Sequence, residues 1–164
     1  MVVADAMVVI HLAKMTLLGT CCEYFKLVVI PQEVQREVLA GKAKGYGDAT
    51  LVEELLHAKR LVVKLVRKKE LLRRAREFNL QRGEAEAVAL CWQEQADRLA
   101  SDEDSVRRKA AVLGVELIGT PAILLTLYRE QRIDREKFTE SLAELRKIGW
   151  FSNAVIDKIL LEAT

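Results

Sequence analysis

The sequence predicts an α/β fold, a three-layer α/β/α arrangement around a central, mostly parallel sheet. Two observations carry that expectation. Short β-branched runs alternate with longer amphipathic runs along most of the chain, the pattern left by strands joined through crossover helices. Apolar residues make up 51% and charged residues 30% of 164 residues. That balance suits one soluble globular domain over residues 1–164, large enough to bury roughly 70% of its unfolded surface.

Taken in order, "MVVAD" is a short β-branched strand ending in an acid, and "AMVVIHLAKMTLL" follows it with helical spacing. "KLVVIP" is a second strand, stopped by Pro31. "QEVQREVLAG" reads as a helix with Gly41 as its stop. "GKAKGYGDA" is a glycine-containing loop whose Asp48 caps "ATLVEELLHAK". "RLVVKLV" is a short, peripheral strand. "KKELLRRAREFN" is an amphipathic helix with Leu71, Leu72, Ala75 and Phe78 on one side. A helix opened by Gly83 comes next, then "RLAS", a strand followed by Asp102. "SVRRKAAVLG" ends on Gly114, and "VELIGT" is another strand. In "PAILLTLYREQ" proline sits at a helix start, where its missing N–H costs little. "DREKFTESLAELRKIG" and "SNAVIDKILLEA" close the chain as helices.

Composition narrows the function classes. With 26 basic and 24 acidic residues the net charge is +2, which does not by itself announce nucleic acid. Lys14 interrupts the first apolar run and no small-residue cleavage site closes it, so no signal peptide is expected. No apolar run approaches the ~18 residues of a membrane span. Cys21, Cys22 and Cys91 are odd in number and lack metal spacing, as expected for reduced thiols in a cytoplasmic protein. No nucleophile elbow, phosphate loop or dinucleotide fingerprint is present.

The acids carry more. In open α/β sheets ligands bind at the carboxyl ends of the strands. Asp5 directly follows "VVA" and Asp102 directly follows "LAS", so parallel neighbouring strands would put both on one edge. Glu37 is flanked by Val34 and Val38, at the spacing of a buried face. Glu84 precedes Ala87, Val88 and Cys91 by three, four and seven residues and stands at the top of a buried stripe. Glu86 is turned by about 200° from it and is expected in solvent. Convergent carboxylates raise one another's pKa unless a cation joins them. A hard divalent ion prefers such oxygen donors, and in phosphodiester hydrolysis it activates water and stabilises developing charge. The local alternative is that Asp5 and Asp102 cap helices, Glu84 favours a helix N-terminus and Glu37 is a rim charge.

Four stretches resemble the PIN-domain family, the metal-dependent nucleases that include the VapC toxins, and within it a subgroup of small stand-alone PIN proteins. They are "VVADAMVVIHLAK", "VVIPQEVQREVLAG", "RGEAEAVAL" and "LASDEDSVRRKAAVLGVELIGTPAILL". The last matches six features in order and spacing. The resemblance implies Mg2+ or Mn2+ held by Asp5, Glu37, Glu84 and Asp102 as the catalytic carboxylates, with Asp104 as an additional metal-site acid. It implies RNA as substrate, a homodimer, and a small antitoxin protein as partner. The expected function is therefore a metal-dependent endoribonuclease, the toxin of a toxin–antitoxin pair. One departure stands out: the family commonly has serine or threonine one or two residues after the first aspartate, and here Ala6 and Met7 follow Asp5. The alternative reading, a PIN-fold module that binds RNA or protein with little or no hydrolysis, rests on that departure.

Arg107 and Arg108 follow the fourth acid closely and are placed to hold a phosphate. Thr120 offers a hydroxyl at the same sheet edge, or else an N-cap ahead of Pro121. The basic helix containing Arg67, Lys68, Lys69, Arg73, Arg74 and Arg76 reads as an RNA-facing surface or a solvated face. His11, in an apolar helix, reads as a packed or interface residue. Trp92 and Trp150 read as packing, with base stacking as the alternative.

Overall fold

The computed structural model describes residues 1–43 and 47–164. Its strands are β1 (Val2–Ala4), β2 (Val28–Pro31), β3 (Leu61–Lys64), β4 (Arg98–Ala100) and β5 (Leu117–Ile118). They form one sheet in the order β3-β2-β1-β4-β5, and every neighbouring pair is parallel. The helices are α1 (Ala6–Lys14), α2 (Leu18–Tyr24), α3 (Gln32–Ala43), α4 (Gly47–His57), α5 (Lys69–Arg76), α6 (Arg82–Glu94), α7 (Asp104–Leu113), α8 (Thr120–Arg129), α9 (Arg135–Ile148) and α10 (Asn153–Glu162).

Strand periodicity divides the core into two layers. Val2, Ala4, Val28, Ile30, Ala100 and Ile118 join one hydrophobic cluster, with residues of α1–α4 and α8–α10. Their alternates Val3, Val29, Leu99 and Leu117 join the other, with α5, α6 and α7. The two faces follow from the handedness of parallel crossovers. From β1 the chain steps to β2 and β3, and the intervening helices cover one face. It then returns past β1 to β4 and β5, and its helices cover the other. The reversal leaves a switch point between β1 and β4, where no crossover helix closes the carboxyl edge.

Three local readings need correction. The predicted first helix stops at Lys14 and resumes as α2, with the pair bent by 115°. Leu17 N–H returns to Leu12 C=O at 2.8 Å and Thr16 N–H to Ala13 C=O at 3.0 Å, with Thr16 at φ 56°. That is a Schellman stop made by threonine rather than glycine, so no sequence signal marked it. Gly41 does not end its helix, because α3 runs on to Ala43. Residues 44–46 of the predicted loop lie outside the described residues, and Asp48 falls inside the first turn of α4. The peripheral strand is indeed the sheet edge, β3. Among the described residues no single helix is long and apolar enough to cross a membrane.

Candidate active site

Asp5 and Asp102 end β1 and β4, which pair in register with Ala4 beside Ala100. Asp5 N–H donates to Ala100 C=O at 3.0 Å, so the backbone ladder itself brings the two acids together. Both are buried. Asp5 caps α1, its Oδ1 accepting Val8 N–H at 3.0 Å, while its Oδ2 is buried without a partner. Burial pushes the Asp5 carboxyl up from 3.8 to about 7. The nearby Ser101 side chain and the bond from Val8 N–H pull it down, and the charges of Asp102 and Glu103 push it up. The Ser101 hydroxyl, at the neighbouring strand end, accepts Glu103 N–H at 3.2 Å.

Asp102 is held from three sides. Thr120 N–H reaches Oδ1 at 2.7 Å, and the Thr120 hydroxyl and His11 Nδ1 both reach Oδ2, the latter at 2.8 Å. A carboxylate has no proton to give, so Nδ1 is the donor. Gly119 packs against the same carboxylate, since a Cβ there would lie 3.1 Å from Oδ1. Thr120 is not an N-cap. Gly119 takes that position, and the Thr120 hydroxyl is committed to Asp102. His11 Nε2 is buried and unpartnered, with the rings of Trp150 and Phe151 centred 5.9 and 5.4 Å away.

Glu84 is buried at the start of α6. Its Oε2 accepts Gln81 N–H and its Oε1 accepts the Ser105 hydroxyl, each at 2.9 Å. The Glu84 carboxylate therefore closes the first turn of its helix and ties that turn to α7. Glu37 is an exposed residue, but its carboxyl end lies against Gly83, where an added Cβ would collide with it. A side chain at 83 would have to displace the Glu37 carboxyl from this position. Desolvation first, then the charges of Glu33, Glu103, Glu84 and Glu86, raise the Glu37 carboxyl above its usual range.

Four of the predicted acids thus fall on one edge: Asp5 with Asp102, and Glu84 with Glu37. Asp104 is exposed and pairs with Arg107 at 3.6 Å. Glu103, which sequence reasoning passed over, is half-buried and is the residue of the acid triplet that faces the others. Desolvation, then Glu84 and Asp102, raise its carboxyl, with a smaller lowering from His11. The triplet was visible, but its register was set by where α7 begins. Glu86 is not on the solvent face. It is half-buried, and its Oε1 accepts Glu33 N–H at 3.4 Å. Between Gly83 and Cys91 every other residue of α6 is buried, so a one-stripe reading could not separate its faces. Arg107 and Arg108 are exposed on α7, and Arg108 Nε donates to Asp104 C=O at 3.3 Å. His11 also escaped notice as a functional residue. Its signal was a ring buried in an apolar helix, but its partner lies 91 residues away.

The donor chemistry fits a hard divalent ion: oxygen ligands, an orphaned buried Oδ2 on Asp5, and carboxyls that raise one another. The acids are not closed around one. Among the described residues no three His, Cys, Asp or Glu side chains stand close enough to hold an ion as they are.

The sheet is a doubly wound, all-parallel α/β fold with acids gathered at its switch point. The chain belongs to the PIN-domain family, whose profile matches residues 1–164. PIN domains are generally nucleases and typically use divalent metals. No curated protein and no solved structure matches the chain.

Proposed function

We propose that the chain is a Mg2+- or Mn2+-dependent endoribonuclease. The carrying observation is the pairing of Asp5 and Asp102 across the β1–β4 ladder, with an unpartnered buried Asp5 oxygen and the charges of Asp102 and Glu103 acting on its carboxyl. Asp5, Asp102, Glu84 and Glu37 would hold the ion, with Glu103 beside them and exposed Asp104 at the rim. A bound ion supplies water activation and neutralises charge on the phosphate. The protein's own residues do the rest. Thr120 and His11 fix the Asp102 carboxylate in one orientation. Each carboxylate oxygen has two lone pairs, so an oxygen that accepts a hydrogen bond retains capacity for a ligand. Val8 N–H steadies Asp5, and Arg107 and Arg108 offer cations to the RNA backbone.

Cleavage of a single-stranded RNA in Mn2+, abolished by Asp5→Asn and by excess chelator and absent on the matched DNA strand, is the expected result. Undiminished cleavage by the variant would reject the reading. We further propose the toxin role with a small antitoxin, supported by the family alone, and a homodimer, supported by Leu160 and Leu161 left exposed on α10. A short neighbouring reading frame encoding a DNA-binding protein, and a dimer mass in sedimentation, are the observations expected.

A specific observation favours a second reading, a binding module with little hydrolysis. Both oxygens of Asp102 and of Glu84 already accept hydrogen bonds within the protein. No measurable Mn2+ binding at millimolar concentration in calorimetry would favour it.

A further inference from the structure

Beside the acids lies a cleft of about 480 Å³ lined by Asp102, Asp104, Arg107, Pro121, Trp150 and Phe151, among others. Trp150 is 47% exposed, which is unusual for an indole without a partner. It is not loose: its Nε1–H donates to Asp102 C=O at 3.1 Å, and one side of its ring meets buried His11. A large flat surface is therefore pinned at the end of β4, one residue's backbone away from a candidate metal-site carboxylate. Arg107 lines the same cleft. Its only ionic partner among the described residues is Asp104, an exposed pair at 3.6 Å, and such rim pairs are weak. Its guanidinium is thus available to a phosphate, whose planar bidentate geometry it matches.

We propose that Trp150 is a base-stacking platform, and that the cleft binds one unpaired nucleobase with Arg107 on its phosphate. The proposal rests on the nuclease reading for its choice of a nucleic-acid strand, but not on turnover. Every base has a π face, so the platform selects single-stranded substrate without selecting sequence. It would place a splayed nucleotide next to the acids and disfavour a stacked duplex, which offers no free base face.

The test uses intrinsic fluorescence. The chain has two tryptophans, so Trp92→Phe leaves Trp150 as the sole indole. Titration with a single-stranded RNA ten nucleotides long, in chelator so that no strand is cut, is expected to quench that indole. An RNA of equal length with every base removed is expected to leave it nearly unchanged. In parallel, labelled-strand anisotropy should show binding about five- to tenfold weaker for Trp150→Ala. Trp150→Phe, which keeps an aromatic face without the Nε1 donor, should recover most of the loss. Equal quenching by the abasic strand, or unchanged affinity in a folded Trp150→Ala protein, would overturn the proposal. The two readings fail separately. Quenching with no cleavage in Mn2+ would sink the nuclease assignment and leave the platform standing, and cleavage with no stacking signal would do the reverse.

Discussion

Asp5 should destabilise the ion-free protein at neutral pH, and Asp5→Asn should relieve it. The residue is 4% exposed and its carboxyl is raised from 3.8 to about 7, chiefly by burial. A raised acid holds its proton in the native state while the unfolded chain has lost it. Its stabilising contribution is therefore full below pH ~4 and declines through the interval up to about 7, above which it is gone. At ~1.36 kcal/mol per pH unit, that interval corresponds to ~4 kcal/mol as an upper bound, with ~2 kcal/mol expected after local relaxation. Asparagine keeps the acceptor for Val8 N–H and carries no charge. Urea denaturation in chelator should show wild-type stability falling between pH 4 and 7, with the Asp5→Asn profile flatter and the variant more stable at pH 8 by about 2 kcal/mol. Millimolar Mn2+ should reverse the ranking, because an ion that binds only the native wild-type protein adds stability by mass action. A variant less stable than wild type at pH 8 in chelator, or equal Mn2+ stabilisation of both, would refute the reasoning.

Gly83→Ala gains helix propensity of about 1 kcal/mol but displaces the Glu37 carboxyl from its seat. Thermal stability should hold or rise while Mn2+ affinity falls in calorimetry. Thr120→Val removes the buried hydroxyl from Asp102 and should lower cleavage about tenfold, with Thr120→Ser retaining most of it. Leu90→Ala opens the fully buried centre of the α6 layer and should cost about 2–5 kcal/mol in urea denaturation. Strand binding should weaken steeply from 50 to 200 mM salt if Arg107 and Arg108 meet phosphates, as anisotropy would show.

The layers were legible because strand alternation and helix stripes are local signals. Val2 and Ala4 against Val3 state which face each residue takes without any knowledge of partners. The acid pair at Asp5 and Asp102 was equally legible, since each follows its strand and parallel pairing does the rest. What could not be read depended on contacts remote in sequence or on unmarked geometry. His11 needs Asp102 to have a role. Glu103 rather than Asp104 faces inward because α7 starts where it does. Glu86 is drawn in by Glu33 of a different helix, and Thr16 ends α1 in a conformation that glycine usually signals.

The register of β1 against β4 has a consequence for how such a site can change over time. Asp5 and Asp102 are spaced by the ladder that joins Ala4 to Ala100, not by loops. A one-residue slip of β1 would turn Val3 toward the wrong layer as well as part the acids. Selection for a packed interior therefore also conserves the distance between the charges. Exposed positions around that edge, such as Arg107, Arg108 and Trp150, are not tied to that register, so recognition can be rewritten while the span between the two carboxylates stays fixed.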